Sequence, residues 1–270
     1  MTTEKKEKGA GLLSLLIITI ILYRGVGVIF YAFISELLKK QNEATQVMIY
    51  SVCVAITMAI AIPILLRKRN MLYLSTEAGF IKTVSIIVMG IVGSIAISGL
   101  FTSASDVFNI HGIFASETAT NTPGAGSNIL LQILGEGIAP AISEELVFRW
   151  VIFSVARKRY SFVESAFIVS FIFGVSHGIS LLTFITFAGG FFLCYIYEKT
   201  RNIFVPVIIH GSYNTIGVTA KHLVDKTSGN ILQLNRTENL ILMLISVFII
   251  WLAVFVIQKI SKGNMKGEKA

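Results

Sequence analysis

Asn239-Leu-Ile-Leu-Met-Leu-Ile-Ser-Val-Phe-Ile-Ile-Trp-Leu-Ala-Val-Phe-Val-Ile-Gln258 runs for twenty residues without one Asp, Glu, Lys or Arg. A helix of about 20 apolar residues crosses the hydrocarbon layer of a bilayer. The texture of this stretch recurs along the chain, which has 270 residues, is 54% hydrophobic and only 14% charged, with a mean hydropathy of +0.76. Soluble domains carry about 25% charged residues. So few charges cannot coat a soluble globule of this size, and they exclude a soluble enzyme, a disordered chain and a disulfide scaffold together. Cys53 and Cys194 both lie in apolar runs and read as small packing residues.

Eight apolar segments are predicted, which makes the chain an all-α polytopic membrane bundle forming a single domain over 1–270. They are Gly11–Phe33, Thr45–Leu66, Thr83–Phe101, Asn128–Ala156, Ser161–His177, Leu181–Tyr197, Asn202–Ala220 and Asn239–Gln258. The first follows a polar, basic start and is read as a retained helix. The one long connection, Thr102–Ser127, is rich in Ser, Thr, Asn and Gly and has no Lys or Arg. With both termini in the cytoplasm, sixteen Lys and Arg fall on the cytoplasmic side, among them Arg67–Arg69, Arg157–Arg159 and Lys259–Lys269. Five fall outside: Lys39, Lys40, Lys221, Lys226 and Arg236. That bias is the positive-inside pattern. It also accounts for the net charge of +8 without a nucleic-acid partner. The partners expected are membrane lipids and a peptide or protein substrate in or at the membrane.

Ionisable residues inside a bilayer are expensive and mark function by default. The fourth segment holds three within six residues, Glu144-Glu145-Leu-Val-Phe-Arg149. Glu145 and Arg149 are four apart and share a helix face, which suits an ion pair. Glu144 points about 100° away and is left as the free carboxylate. The inert alternative is a polar knot that only holds helices together. His177 closes the fifth segment, and the seventh carries His210-Gly-Ser-Tyr-Asn214, whose His and Asn address one point. His111 and His222 fall in or near polar loops and read as solvated. Arg24 sits inside the first segment, with Glu136 as a candidate partner. Glu164 and Glu198 read as solvated helix ends, and Gly90, Gly93, Gly189 and Gly190 as close-packing positions.

Glu-Glu-x-x-x-Arg at 144–149, Phe-x-x-x-His at 173–177 and His-x-x-x-Asn at 210–214 follow one another on successive apolar segments. In that order they resemble the CAAX protease and bacteriocin-processing family, also called the Abi or type II CAAX prenyl endopeptidase family. Pro140, four residues before Glu144, is similar to that family's local pattern. The resemblance covers the core at about 128–220 and implies an intramembrane endopeptidase with an eight-helix core and a polar cavity. By analogy Glu144 activates water with help from His177, His210 and Asn214 stabilise the oxyanion, and Glu145 and Arg149 hold the site together.

Peptide hydrolysis needs an activated water and oxyanion donors, and these six residues supply both without a metal. A zinc reading competes. Glu144, His177 and His210 form a three-ligand set of the kind catalytic zinc uses, but it would consume the base, and no His-Glu-x-x-His is present. No cofactor is therefore favoured, with zinc or another divalent metal as the alternative. Bacteriocin self-immunity or a membrane scaffold role, based on binding rather than proteolysis, is the competing function. A transporter is the third class, but no internal repeat supports it. The substrate is open among a prenylated protein, a secreted peptide precursor and a bacteriocin leader. The abundance of Ile, Lys and Asn points to an AT-rich bacterium, hence to a bacterial plasma membrane.

Overall fold

The computed structural model describes residues 21, 23, 25, 27–39, 43–68, 79–110, 128–226 and 234–262. Every element among them is helical: α1 (Gly27–Leu37), α2 (Glu43–Lys68), α3 (Phe80–Phe108), α4 (129–156), α5 (Phe162–Val175), α6 (Leu181–Thr200), α7 (Phe204–Lys226) and α8 (Arg236–Lys262). Three of them, α3, α6 and α8, are long and apolar enough to cross a membrane, while α1, α2 and α5 contain shorter apolar stretches. Large apolar side chains such as Leu244, Trp251 and Phe80 stand exposed on the outer faces. That surface suits lipid, where a helix satisfies its own backbone hydrogen bonds. The chain is an all-α membrane bundle and an integral membrane protein. Arg24 and His111 lie outside the described residues.

Two buried clusters form the interior. One joins Met58 and Ile62 of α2, Val147, Phe148 and Trp150–Phe153 of α4, Val169 and Phe173 of α5, and Cys194 and Tyr197 of α6. The other joins Ile86 and Ile97 of α3, Phe192 and Ile196 of α6, Ile209 of α7 and Ala253 and Ile257 of α8. Helix α6 belongs to both, because residues spaced along it reach different faces. Cys53 and Cys194 are free thiols.

Several boundaries differ from the sequence expectation. Helix α3 continues past Phe101 to Phe108. Short polar side chains there are tolerated because their hydroxyls bond back along the helix, as Thr102 Oγ1 does to the Ser98 carbonyl at 3.0 Å. The helix stops at Asn109, which takes the left-handed conformation at φ 50° and donates its N–H to Asp106 O, a residue type that tolerates this region. The fourth segment is not a plain α-helix. Residues Ile133–Ile138 and Glu145–Phe153 are π-wound, separated by the α-turn Ala139–Glu144 with Pro140 in its first turn. Proline cannot donate to the preceding turn, and a wider turn absorbs the break.

Glu198 is not simply solvated. It accepts from Arg157 Nη2 at 3.0 Å and from Arg201 Nη2 at 2.9 Å, clamping the turn after α4 to the turn after α6. The hydrogen bond to Glu198 holds the Arg157 guanidinium above its ordinary pKa. Glu164 closes a capping box with Ser161 at the start of α5.

Candidate active site

Helices α4 and α7 lie side by side and antiparallel. A Cβ on Gly137 would sit 2.7 Å from Thr215 Oγ1, and one on Gly211 would sit 3.6 Å from Ala141 Cβ. Rising numbers on one helix meet falling numbers on the other. This register brings the glutamates of α4 level with His210. Helix α3 runs parallel to α7 along its other side, with Gly90 against Ile209 and the Tyr213 hydroxyl donating to Ser98 Oγ at 2.9 Å.

At the centre lies a shared oxygen. Arg149 Nη1 donates to Glu145 Oε1 at 2.7 Å, and His210 Nδ1 meets the same oxygen at 2.7 Å. Both side chains of the Glu145–Arg149 pair are completely buried. An ionised carboxylate only accepts, so His210 Nδ1 is the donor and its Nε2 is the nitrogen left over. That Nε2 lies 3.9 Å from Glu144 Oε2. The Phe173 ring supports the group from beside it. The Arg149 guanidinium stands 4.5 Å above the ring centre, and the rings of His177 and His210 meet it edge-on at 4.7 and 6.1 Å.

His177 stands in the turn just past α5 rather than on the helix, followed by Gly178 at φ 91°. Its Nδ1 donates to the Phe173 carbonyl at 2.8 Å, which fixes the ring and leaves Nε2 as an acceptor. Asn214 Nδ2 reaches the carbonyl of Gly137 in the first π-wound stretch at 3.5 Å. One amide hydrogen is thereby oriented and the other is left for the cavity.

Glu144, His177, His210 and Asn214 all line a cavity of about 680 Å³ at the seam of the two cores. Its walls include Ile97 and Leu193 from one core and Phe173 from the other. Glu145 and Arg149 sit behind this wall, buried. The sequence-predicted residues thus form two layers, four facing the cavity and two beneath. Sequence reading gave no role to Phe173, although it opens the Phe-x-x-x-His motif. It also passed over Tyr213, which lies within His-x-x-x-Asn, and Ser98, which nothing distinguishes from other small residues of α3. Gly189 is not a packing contact, for a Cβ there would meet nothing within 4 Å. Gly190 is one: its Cβ would lie 3.3 Å from Arg149 Nη2 and 3.2 Å from Phe173 Cδ1.

Among the described residues no three His, Cys, Asp or Glu side chains group closely enough to hold a metal ion. Each of the two histidines has its Nδ1 held and only Nε2 remaining, a disposition that metal ligation and proton transfer share.

The family described as type II CAAX prenyl endopeptidase, Rce1-like, matches residues 126–216. A protein of Bacillus subtilis (strain 168) named "Putative membrane peptidase YdiL" is 33% identical over 88 residues, which is 33% of this chain and 36% of that one. The match thus spans about a third of the length of that curated relative. No solved structure matches the chain significantly. The matched stretch carries all three motifs together with Glu144, Glu145, Arg149, Phe173, His177, His210 and Asn214, and over residues 126–216 the chain is similar to the Rce1-like, type II CAAX prenyl endopeptidase family.

Proposed function

We propose that this protein is an intramembrane endopeptidase that hydrolyses a peptide bond of a membrane-associated or lipidated peptide, with Glu144 as the base that activates water. The observation that carries this reading is the shared Glu145 oxygen. By taking His210 Nδ1–H it turns Nε2 toward Glu144 and the cavity.

Charge balance limits the working state. Glu144 and Glu145 bring two negative charges and Arg149 one positive. A buried net charge is costly at low dielectric. One proton shared between Glu144 and His210 balances the group, and the reading takes the state in which His210 carries it, which supplies both a carboxylate base and an Nε2–H donor. Water held between Glu144 and His177 Nε2 gives its proton to Glu144 while its oxygen bonds to the substrate carbonyl carbon. The carbonyl oxygen becomes an oxyanion that accepts from His210 Nε2–H and from the second amide hydrogen of Asn214. Glu144 then passes the proton to the departing amine as the C–N bond breaks. Glu145 and Arg149 act through His210 as positioning residues. Every step uses side chains of this chain and none needs a metal.

The loop charges support cytoplasmic termini, and the abundance of Ile, Lys and Asn supports a bacterial plasma membrane. The test compares membrane peptidomes of cells producing the wild type or Glu144→Gln. Uncut precursors should accumulate only with Glu144→Gln, and identical peptidomes would overturn the reading.

A further inference from the structure

The cavity that holds the cluster has a second, differently charged end. Glu136 of α4 and Lys221 of α7 also line it, and neither has a part in the proposed hydrolysis. Glu136 lies eight residues before Glu144. Lys221 lies seven beyond Asn214, about 10 Å further along α7. Because α4 and α7 are antiparallel, both displacements run in the same direction, toward the bundle face where α4 begins and α7 ends. Lys221 is five residues from the end of α7. A long, exposed lysine at that depth extends its ammonium toward the interface. Glu136 is half-buried and Lys221 exposed, and no hydrogen bond or ion pair within 4.0 Å joins them. The cavity walls are largely apolar, with Ile95, Leu182, Ile185 and Ile216 among them.

We propose that this mouth binds the headgroup of a zwitterionic aminophospholipid, with Lys221 on the phosphate, Glu136 on the ammonium and an acyl chain along the apolar walls. The choice follows from the charge balance. A singly charged anion gains from Lys221 and loses to Glu136, and a cation meets the reverse. Only a ligand carrying both signs a few bonds apart gains from both. The two side chains come from different helices and stand apart, as such a ligand requires. The apolar walls then favour the lipid over the free headgroup, because burying chain methylenes adds about 0.8 kcal/mol each. The lipid shares one cavity with the Glu144 cluster, but its binding is read without any cleavage, so the test stands apart from the proteolytic reading.

The test uses the full chain in detergent and reads lipid adducts by native mass spectrometry, with unfolding temperature as a second measure. The probes are phosphatidylethanolamine, phosphatidylglycerol with the same acyl chains, and free phosphoethanolamine. Phosphatidylethanolamine should bind in preference to phosphatidylglycerol, and free phosphoethanolamine should not compete with it at equal concentration. Lys221→Ala and Glu136→Gln should each weaken phosphatidylethanolamine binding about tenfold, the scale of one charge-assisted contact. The exchange Glu136→Lys with Lys221→Glu should restore part of it, because both signs are again present. Equal binding of the two lipids, or variants that hold phosphatidylethanolamine as the wild type does, would overturn the proposal. Free phosphoethanolamine competing as well as the lipid would overturn the lipid as the source.

Discussion

His210 and Arg149 come from different helices and donate to the same oxygen of Glu145, each at 2.7 Å. One buried carboxylate therefore sets the ring orientation of a cavity-facing histidine and neutralises a guanidinium that no water reaches. The chemistry and the stability of the bundle are coupled at that atom.

The first consequence concerns Glu145 and Arg149. Removing one partner of a buried ion pair leaves the other charge uncompensated and costs about 3–5 kcal/mol. Glu145→Gln and Arg149→Ala should each lower folded yield and unfolding temperature as well as cleavage. The double variant Glu145→Gln with Arg149→Met should recover folded yield without recovering activity, because His210 then faces a neutral amide instead of a carboxylate. Size-exclusion profiles and thermal unfolding in detergent measure the first part, and peptide cleavage in liposomes the second.

Glu144→Gln should behave differently. Glu144 faces the cavity and makes no short ion pair, so the fold should tolerate an isosteric amide. Loss of a general base lowers rate by about 10²–10⁴-fold. A purified Glu144→Gln protein that unfolds at the wild-type temperature and fails to cleave is the expected result. Cleavage at the wild-type rate would remove Glu144 from the base role.

The two adjacent glycines of α6 should separate in a substitution experiment. Gly190→Ala pushes a methyl group toward Phe173 and Arg149, at 3.2 and 3.3 Å, and overpacking of this kind costs about 1–3 kcal/mol. Gly189→Ala meets open space and should leave unfolding temperature within error. Equal effects at both positions in a thermal-unfolding series would contradict the placement of Arg149 behind Gly190.

Metal removal gives a fourth outcome. If Glu144 works as a carboxylate base beside His210, cleavage in liposomes should survive dialysis against a strong zinc chelator. Loss of cleavage that only added metal restores would assign Glu144, His177 and His210 to a metal instead, and elemental analysis of the purified protein would then show bound metal.

Some of this was legible in the amino acids alone, for a local reason. Twenty uncharged residues from Asn239 to Gln258 declare a membrane helix because the bilayer accepts nothing else there, and the four-residue spacing of Glu145 and Arg149 places them together on one helix. The spacing of His210 and Asn214 likewise puts both on one side of α7. These inferences need only the chain's own geometry. What the tertiary structure decided depends on register between helices, which composition does not encode. The antiparallel alignment of α4 and α7 gave His210 to Glu145 rather than to Glu144, and it carried Glu136 and Lys221 to a common mouth. Helix α4 is π-wound on both sides of the turn that holds Pro140, so the hundred-degree step assumed for a plain helix does not hold through Glu145–Phe153. Gly190 and Phe173 became parts of the site only because α5 and α6 close over Arg149. Helix identity follows from the free energy of each segment against lipid, whereas the site follows from which side chains fit when those segments pack.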